Sequence, residues 1–202
     1  MTEPLLAKGY YRLPTGTLAN VVTCLEMTAR PLARASFADD GLRLERFDQR
    51  DSEAYLALFA LIGQDWMWYS RLLMARAKLD AILADPRVEV YALKDGAASI
   101  GIVELDFREE GVCELAFFGL APGAIGKGAG RFLMEQAIAM AWSRPIARLW
   151  VHTCTFDHPL ALAFYQRSGF RPFALMVEVH DDPRLLGLLP REASPQVPLI
   201  DA

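Results

Sequence analysis

The chain has 202 residues, of which 53% are hydrophobic, 10% aromatic and 23% charged. That is enough apolar sequence for one sizeable core, too much for a disordered chain, and too few residues for a comfortable two-domain enzyme. Twenty-one basic against 25 acidic residues leave a formal net charge of −4, and their scatter provides no broad basic footprint for a nucleic-acid backbone. Cys24, Cys113 and Cys154 are odd in number, widely spaced and set in apolar sequence, which reads as reduced core thiols. No stretch approaches the roughly 18 apolar residues of a membrane span, and the N-terminus lacks the pattern of a secretory leader. The expectation is a cytoplasmic single domain with neither a nucleic acid nor a membrane as partner.

In chain order, Leu18–Glu26 is β-branched and apolar after a Pro-Thr-Gly turn signal, and Leu42–Phe47 is a second candidate strand. Tyr55, Leu56, Leu58, Phe59 and Ile62 recur at helical spacing from Ser52 onward, and another helical pattern covers Ser70–Leu83 before Asp85-Pro86. Val88–Leu93 and Ser99–Phe107 flank Lys94-Asp95-Gly96 as an antiparallel hairpin, and Val112–Leu120 adds a further strand. Helix Arg131–Trp142, strand Ala147–Thr153, helix Pro159–Ser168 and strand Phe170–Val179 follow. Beyond Asp181, Pro183, Pro190, Pro195 and Pro198 predict a short irregular arm or frayed tail over 181–202. Residues 1–41 read as an extension carrying an extra strand. The order β-β-α-α-β-β-β-α-β-α-β makes an α+β fold.

The sharpest local signal is Gly123-Ala-Ile-Gly-Lys-Gly-Ala-Gly130, with four glycines in eight residues between a strand and a helix. Glycines there let successive backbone N–H groups converge on an anion at a helix N-terminus. A nucleoside-triphosphate loop would need Ser or Thr after Gly126-Lys127, where Gly128 stands. A dinucleotide fingerprint would need glycine at 131, where Arg131 stands, and an all-parallel unit before it.

The stretch Leu120-Ala-Pro-Gly-Ala-Ile-Gly-Lys-Gly-Ala-Gly-Arg-Phe-Leu133 resembles the acetyl-CoA loop of the GCN5-related N-acetyltransferases (GNAT superfamily), with Gly128 and Gly130 on the two glycine positions. Ile125 stands where that family usually has Arg or Gln. Ala161, Tyr165, Gly169 and Phe170 resemble its late motif, with His158 in place of Asn. The resemblance spans roughly residues 87–178. It implies a three-layer α/β arrangement, with helices on both faces of a mixed, mainly antiparallel sheet. That sheet would splay between its fourth and fifth strands, with acetyl-CoA as co-substrate in the gap.

The implied reaction is N-acetylation of a primary amine on a small-molecule or peptide acceptor, by direct attack in a ternary complex. The other reading is a non-catalytic acyl-CoA-binding module, suggested by Ile125 and His158. Tyr165 is the candidate acid for the departing thiolate. Leu160, Ala163 and Phe164 would take the buried side of its helix. Strand alternation places Glu104 and Asp106 on one face, and Glu114 on the same face as Ala116 and Phe118. Glu104 is the first candidate base and Glu114 the second, against a solvated strand face with cross-strand charge pairs. The diphosphate is assigned to the backbone of Ile125, Gly126, Lys127, Gly128, Ala129 and Gly130, with charge from Lys127 and Arg131. Phe118, Gly119 and Leu120 would pair with the pantetheine arm, and His158 would lie on the cofactor side or cap its helix. Trp66 and Trp68 would line an acceptor pocket for an apolar or aromatic amine, or else pack in the core. His152, Cys154 and His158 lack the spacing of a zinc site. A homodimer stays open, with Pro190–Ala202 able to dock on a neighbour.

Overall fold

The computed structural model describes residues 5–31, 41–48 and 51–201, so part of the extension expected over residues 1–41 lies outside the described residues. The elements are β1 (Thr17–Met27), β2 (Leu42–Arg46), α1 (Ser52–Gly63), α2 (Ser70–Leu73), α3 (Arg76–Leu83), β3 (Val88–Asp95), β4 (Ala98–Asp106), β5 (Val112–Leu120), α4 (Ala129–Ala141), β6 (Arg148–Cys154), α5 (Ala161–Ser168) and β7 (Arg171–Asp181). Asp51 starts α1 by accepting the Ala54 N–H at 2.9 Å, which satisfies one of the donors a helix start leaves unpaired. The single helix expected over Ser70–Leu83 is two, because Met74 is extended at φ −68°, ψ 135°. Gly169, at φ +108°, ends α5 in the left-handed region.

One seven-stranded sheet runs in the order β2-β3-β4-β5-β6-β1-β7. Five of its six neighbouring pairs are antiparallel, and β5–β6 is parallel. That parallel pair is registered only at Val112↔Arg148, Cys113↔Leu149 and Glu114↔Trp150. β5 then continues to Leu120 and β6 to Cys154 without pairing with each other. The sheet therefore splays between its fourth and fifth strands in spatial order, and the edge of β5 beyond Glu114 is left open toward the gap. The extra N-terminal strand lies inside the sheet, with Val22 opposite Cys154 on one side and Met176 on the other.

A register shift interrupts β4–β5: Glu104 pairs with Phe117, but Leu105 pairs with Leu115, so Ala116 is the extra residue of a bulge. The bulge resets the alternation. Leu115 and Phe118 both join the core under α4, whereas Phe117 turns to the opposite core under α1. The expected common face of Glu114, Ala116 and Phe118 is not formed.

Two apolar layers sandwich the sheet. Leu133, Met134, Ala137, Ile138 and Ala141 of α4 pack on Leu105, Cys113, Leu115, Leu149 and Val151. Tyr55, Phe59 and Ile62 of α1, with Leu79 and Leu83 of α3, pack on Val90, Ala92 and Ile102. Each such large side chain contributes about 1.5–3 kcal/mol by leaving water. Residues 182–201 contain no helix or strand, but they are not frayed. Leu189, Ala193 and Val197 bury themselves with Leu18, Met67 and Phe156. The Arg184 guanidinium pairs with Asp182 in the interior and donates to the carbonyls of Ala193 (3.2 Å) and Val197 (2.9 Å). Ser194 Oγ ties the tail to Asp65 O at 2.7 Å.

Candidate active site

Where β5 and β6 part, a cleft of about 720 Å³ passes through the sheet. On the α4 side it is lined by Phe118 and Leu120, the glycine loop, and Leu160, Phe164 and Tyr165. On the other side it is lined by Trp66–Arg71, Glu114, His152, Asn20 and Glu178.

The loop enters α4 through Gly126 at φ +84° and Gly128 at φ +88°. A Cβ costs roughly 1–2 kcal/mol in that region. The first loop-to-helix bonds are Arg131 N–H and Phe132 N–H to Gly128 O. The five N–H groups from Gly126 to Gly130 donate to no group among the described residues. A row of unspent donors at a helix N-terminus carries the positive end of the helix dipole, which suits a diphosphate. Gly130 faces Phe164 and Leu120, with 3.5 Å to Leu120 for an added Cβ. Ile125 lines the cleft and is 40% exposed. Lys127 is exposed and lies off the cleft lining, and the Ala129 side chain is buried. Arg131 lines the cleft while its Nε donates to Glu135 at 2.9 Å.

Tyr165 reaches the cleft from α5, its ring against Phe118, Phe164 and Phe170. Burial, then the nearby Asp157 carboxylate, pushes its phenol well above the ordinary value, so the hydroxyl keeps its proton across the neutral range. The burial pattern of α5 departs from the sequence expectation. Leu160 is 61% exposed, while Tyr165 and Ala161 face the core and cleft. Helical periodicity cannot distinguish a face packed on the core from one lining an apolar cleft. His158 Nδ1 accepts the Leu160 N–H at 3.1 Å and the ring packs on Trp66 at 5.0 Å. It caps the turn before α5 and lines the cleft at the same time.

Glu104, the first candidate base, lies away from the cleft lining. It is fully buried under α1 and α2, where Tyr55 O–H donates to Oε2 at 2.6 Å and the Arg71 guanidinium binds Oε1. Burial raises its pKa, against Arg71 and Tyr55, which lower it. Asp106, expected on the same face, instead holds Arg108. Glu114 lines the cleft, and its Oε1 is 3.4 Å from His152 Nδ1. This hydrogen bond holds the imidazole pKa above its ordinary value, against burial. Burial and Asp157 push the Cys154 thiol up to about 12, which keeps it protonated and a poor nucleophile.

Of the two tryptophans, Trp66 faces the cleft beside His158. Trp68 is a wall, packed on Phe59 and Phe117 and donating to Asp157 Oδ1 at 3.3 Å. Gly63 and Gly119 make room for it: a Cβ at Gly63 would fall 2.3 Å from Trp68 Cβ, and one at Gly119 would fall 2.5 Å from Ile62 Cγ2 and 3.0 Å from Trp68 Cη2. Tyr69, which follows the two tryptophans in the same aromatic cluster, lines the cleft as well; Asn20, Glu178 and His180 also line it and were not singled out from sequence. Their one available signal was a lone polar residue inside an otherwise apolar strand, Asn20 in LANVVTCLE and Glu178 in ALMVEV.

An open α/β sheet split at its parallel pair, with a glycine-lined anion cradle beside the split, defines an acyltransferase-type fold. The profile of the Acetyltransferase (GNAT) family matches residues 49–170, more than half of the sequence, and the chain belongs to that family, which generally uses acetyl-CoA as co-substrate. No curated protein matches the chain. Solved structures with the same fold include a functionally unknown conserved protein from Staphylococcus epidermidis ATCC 12228 (14% identity, TM-score 0.61, 83% of this chain and 63% of that one). A GCN5-related N-acetyltransferase from Sphaerobacter thermophilus superposes at TM-score 0.60 (14% identity, 81% and 52%). An acetyltransferase from Thermus thermophilus superposes at 0.53 (22% identity, 70% and 97%). This chain thus spans under two thirds of the length of the first two. No described helix is long and apolar enough to cross a membrane.

Proposed function

We propose that the chain is an N-acetyltransferase that moves the acetyl group of acetyl-CoA to a primary amine by direct attack in a ternary complex. The observation that carries this reading is the row of unspent N–H groups from Gly126 to Gly130 beside the opened edge of β5. These donors suit a diphosphate, and the edge of Phe118–Leu120 that faces away from β4 suits an extended amide chain, as when a strand is added to a sheet edge. The Ile125 side chain offers no hydrogen bond, and its N–H, expected among the diphosphate donors, is taken by Pro122 O at 3.4 Å, so the diphosphate rests on the Gly126–Gly130 donors and the α4 dipole, and Lys127 is not needed.

The bound thioester supplies an electrophilic acyl carbon. The acceptor amine enters from the face that carries Glu114 and His152. An N–C bond forms and the C–S bond breaks. The proton lost from nitrogen passes to the Glu114–His152 pair and on to solvent, and the sulfur receives one from Tyr165, which is restored from water. Glu104 has no part in this: its oxygens are taken by Arg71 and Tyr55. The protonated Cys154 supports direct transfer over an acyl-cysteine route.

The test is thiol release from acetyl-CoA over a panel of primary amines, comparing wild type with Tyr165→Phe. The expected result is turnover by the wild type and a ten- to hundred-fold lower kcat in the variant. This is the low end of general-acid effects, because a thiol of pKa about 8.5 is a fair leaving group unaided. Equal turnover would remove the acid role. Acetyl-CoA binding without thiol release on any amine would favour the non-catalytic module suggested by Ile125 and His158.

A further inference from the structure

We propose that the end of the cleft between β1 and β7 binds a second ammonium group of the acceptor, so that the preferred substrates are long diamines rather than monoamines; this rests on the acetyltransfer reading above. Asn20 and Glu178 are cross-strand partners on the cleft side of β1 and β7. Tyr69 O–H donates to Glu178 Oε1 at 3.1 Å and Asn20 Nδ2 donates to Oε2 at 2.9 Å. Both donors are neutral, and no described cation pairs with this exposed carboxylate. Elsewhere around the site Asp106 pairs with Arg108 and Glu104 with Arg71, while Glu114 is hydrogen-bonded to His152. Asp157, like Glu178, accepts hydrogen bonds from neutral donors alone, the Trp68 indole, the Thr153 hydroxyl and the Cys154 N–H. Both carboxylates act on the nearby His152, which is itself hydrogen-bonded to Glu114, so neither has a described ion-pair partner of its own.

The surrounding polar atoms point the same way. Asn20 is 3% exposed, lines the cleft, and its Oδ1 has no hydrogen-bond partner among the described residues. His180, stacked on Tyr69 at 4.5 Å, has a buried Nε2 that is likewise unpartnered. The subsite thus offers a carboxylate and a buried carbonyl oxygen beside two stacked rings. Three ammonium N–H donors carrying a positive charge match that set, whereas a carboxylate or an alkyl terminus does not. β1 also sets the distance. Cys24 lies opposite His152, and Asn20 is four residues further along, on the order of 13 Å at strand rise. A substrate that reaches both ends must be long as well as doubly charged.

The experiment measures kcat/KM for hexane-, octane- and decane-α,ω-diamines, the alkylamines of matched length and the matched ω-amino acids, in wild type and Glu178→Gln. It is paired with calorimetric titration of each diamine and its monoamine into both proteins. The expected wild-type result is a diamine-over-monoamine ratio of about ten to a hundred that increases with length, with ω-amino acids poorest. The ratio should collapse toward one in Glu178→Gln. Equal use of diamines and monoamines, or a ratio that survives Glu178→Gln, overturns the subsite and leaves acetyltransfer standing. If no amine releases thiol, the acetyltransfer reading fails, and the titration alone decides the subsite: selective diamine binding that Glu178→Gln abolishes supports it, and its absence overturns it.

Discussion

Replacing Arg71 with Met isolates the most consequential buried charge in the fold. Glu104 is fully buried, and its only described partners are the Tyr55 hydroxyl at 2.6 Å and the Arg71 guanidinium. Arg71→Met keeps the aliphatic bulk over Phe117, where the guanidinium now sits 5.1 Å from the ring centroid, but leaves a carboxylate without its cation. Breaking a buried pair on one side costs about 3–5 kcal/mol, which for a chain of this size lowers Tm by about 6–20 °C. Glu104→Gln combined with Arg71→Met removes both charges at nearly constant volume and should recover to within about 1–2 kcal/mol of wild type. Burial already raises the Glu104 pKa against the pull of Arg71, and losing Arg71 raises it further. A carboxyl with a folded pKa above its unfolded value contributes stability below the unfolded pKa and loses it as pH rises through the folded one. The deficit of Arg71→Met should therefore be larger at pH 8 than at pH 5. Urea unfolding of the wild type, both single variants and the double variant at those two pH values measures both effects. A double variant whose loss equals the sum of the single losses, or a deficit indifferent to pH, would refute the coupling.

Three further outcomes follow from the same geometry. Glu114→Gln replaces the carboxylate that holds the His152 pKa above its ordinary value with a neutral amide, so the limb on which kcat/KM rises with pH should move to lower pH and its plateau should fall; an unmoved limb would take His152 out of the proton path. Gly119→Ala forces a Cβ to within 2.5 Å of Ile62 and 3.0 Å of Trp68, and should destabilise by about 1–3 kcal/mol in urea unfolding. Arg184→Met frees the tail carbonyls of Ala193 and Val197 and unpairs the buried Asp182; limited proteolysis should then cut within residues 185–201 faster than in wild type, while the sheet stays resistant.

Most strands and helices were legible because their signals are local. Val112–Leu120 is bounded as expected, the left-handed Gly169 ends α5, and the glycine-rich loop opens α4. The place of β1 was not legible, since an apolar alternation of period two says that a strand is half-buried but not which strands flank it. The bulge at Ala116 was equally silent, because one extra residue leaves the composition of β5 unchanged and shows only in its register with β4. Glu104 was misplaced for a related reason: its partners Tyr55 and Arg71 come from helices that precede it by 49 and 33 residues. The four prolines after Asp181 did rule out regular structure, yet the tail packs through Leu189, Ala193 and Val197 and the Arg184–Asp182 pair. Within the site, the loop backbone and Tyr165 were marked by motif. Asn20, Tyr69, Glu178 and His180 converge only through the β1–β7 pairing and the turn before α2.

The central claim is that the split sheet and its glycine cradle bind acetyl-CoA, and the most direct measurement is the thermal midpoint of the protein with and without it, with ATP and NAD at the same concentration as controls. At a hundred times its dissociation constant a ligand stabilises by about 2.7 kcal/mol, a rise of about 5–11 °C for a chain of this size. The account predicts that rise for acetyl-CoA and a clearly smaller one for the two nucleotides, which share its phosphates but cannot lay an amide chain along β5. No rise with acetyl-CoA, or an equal rise with all three, would contradict it.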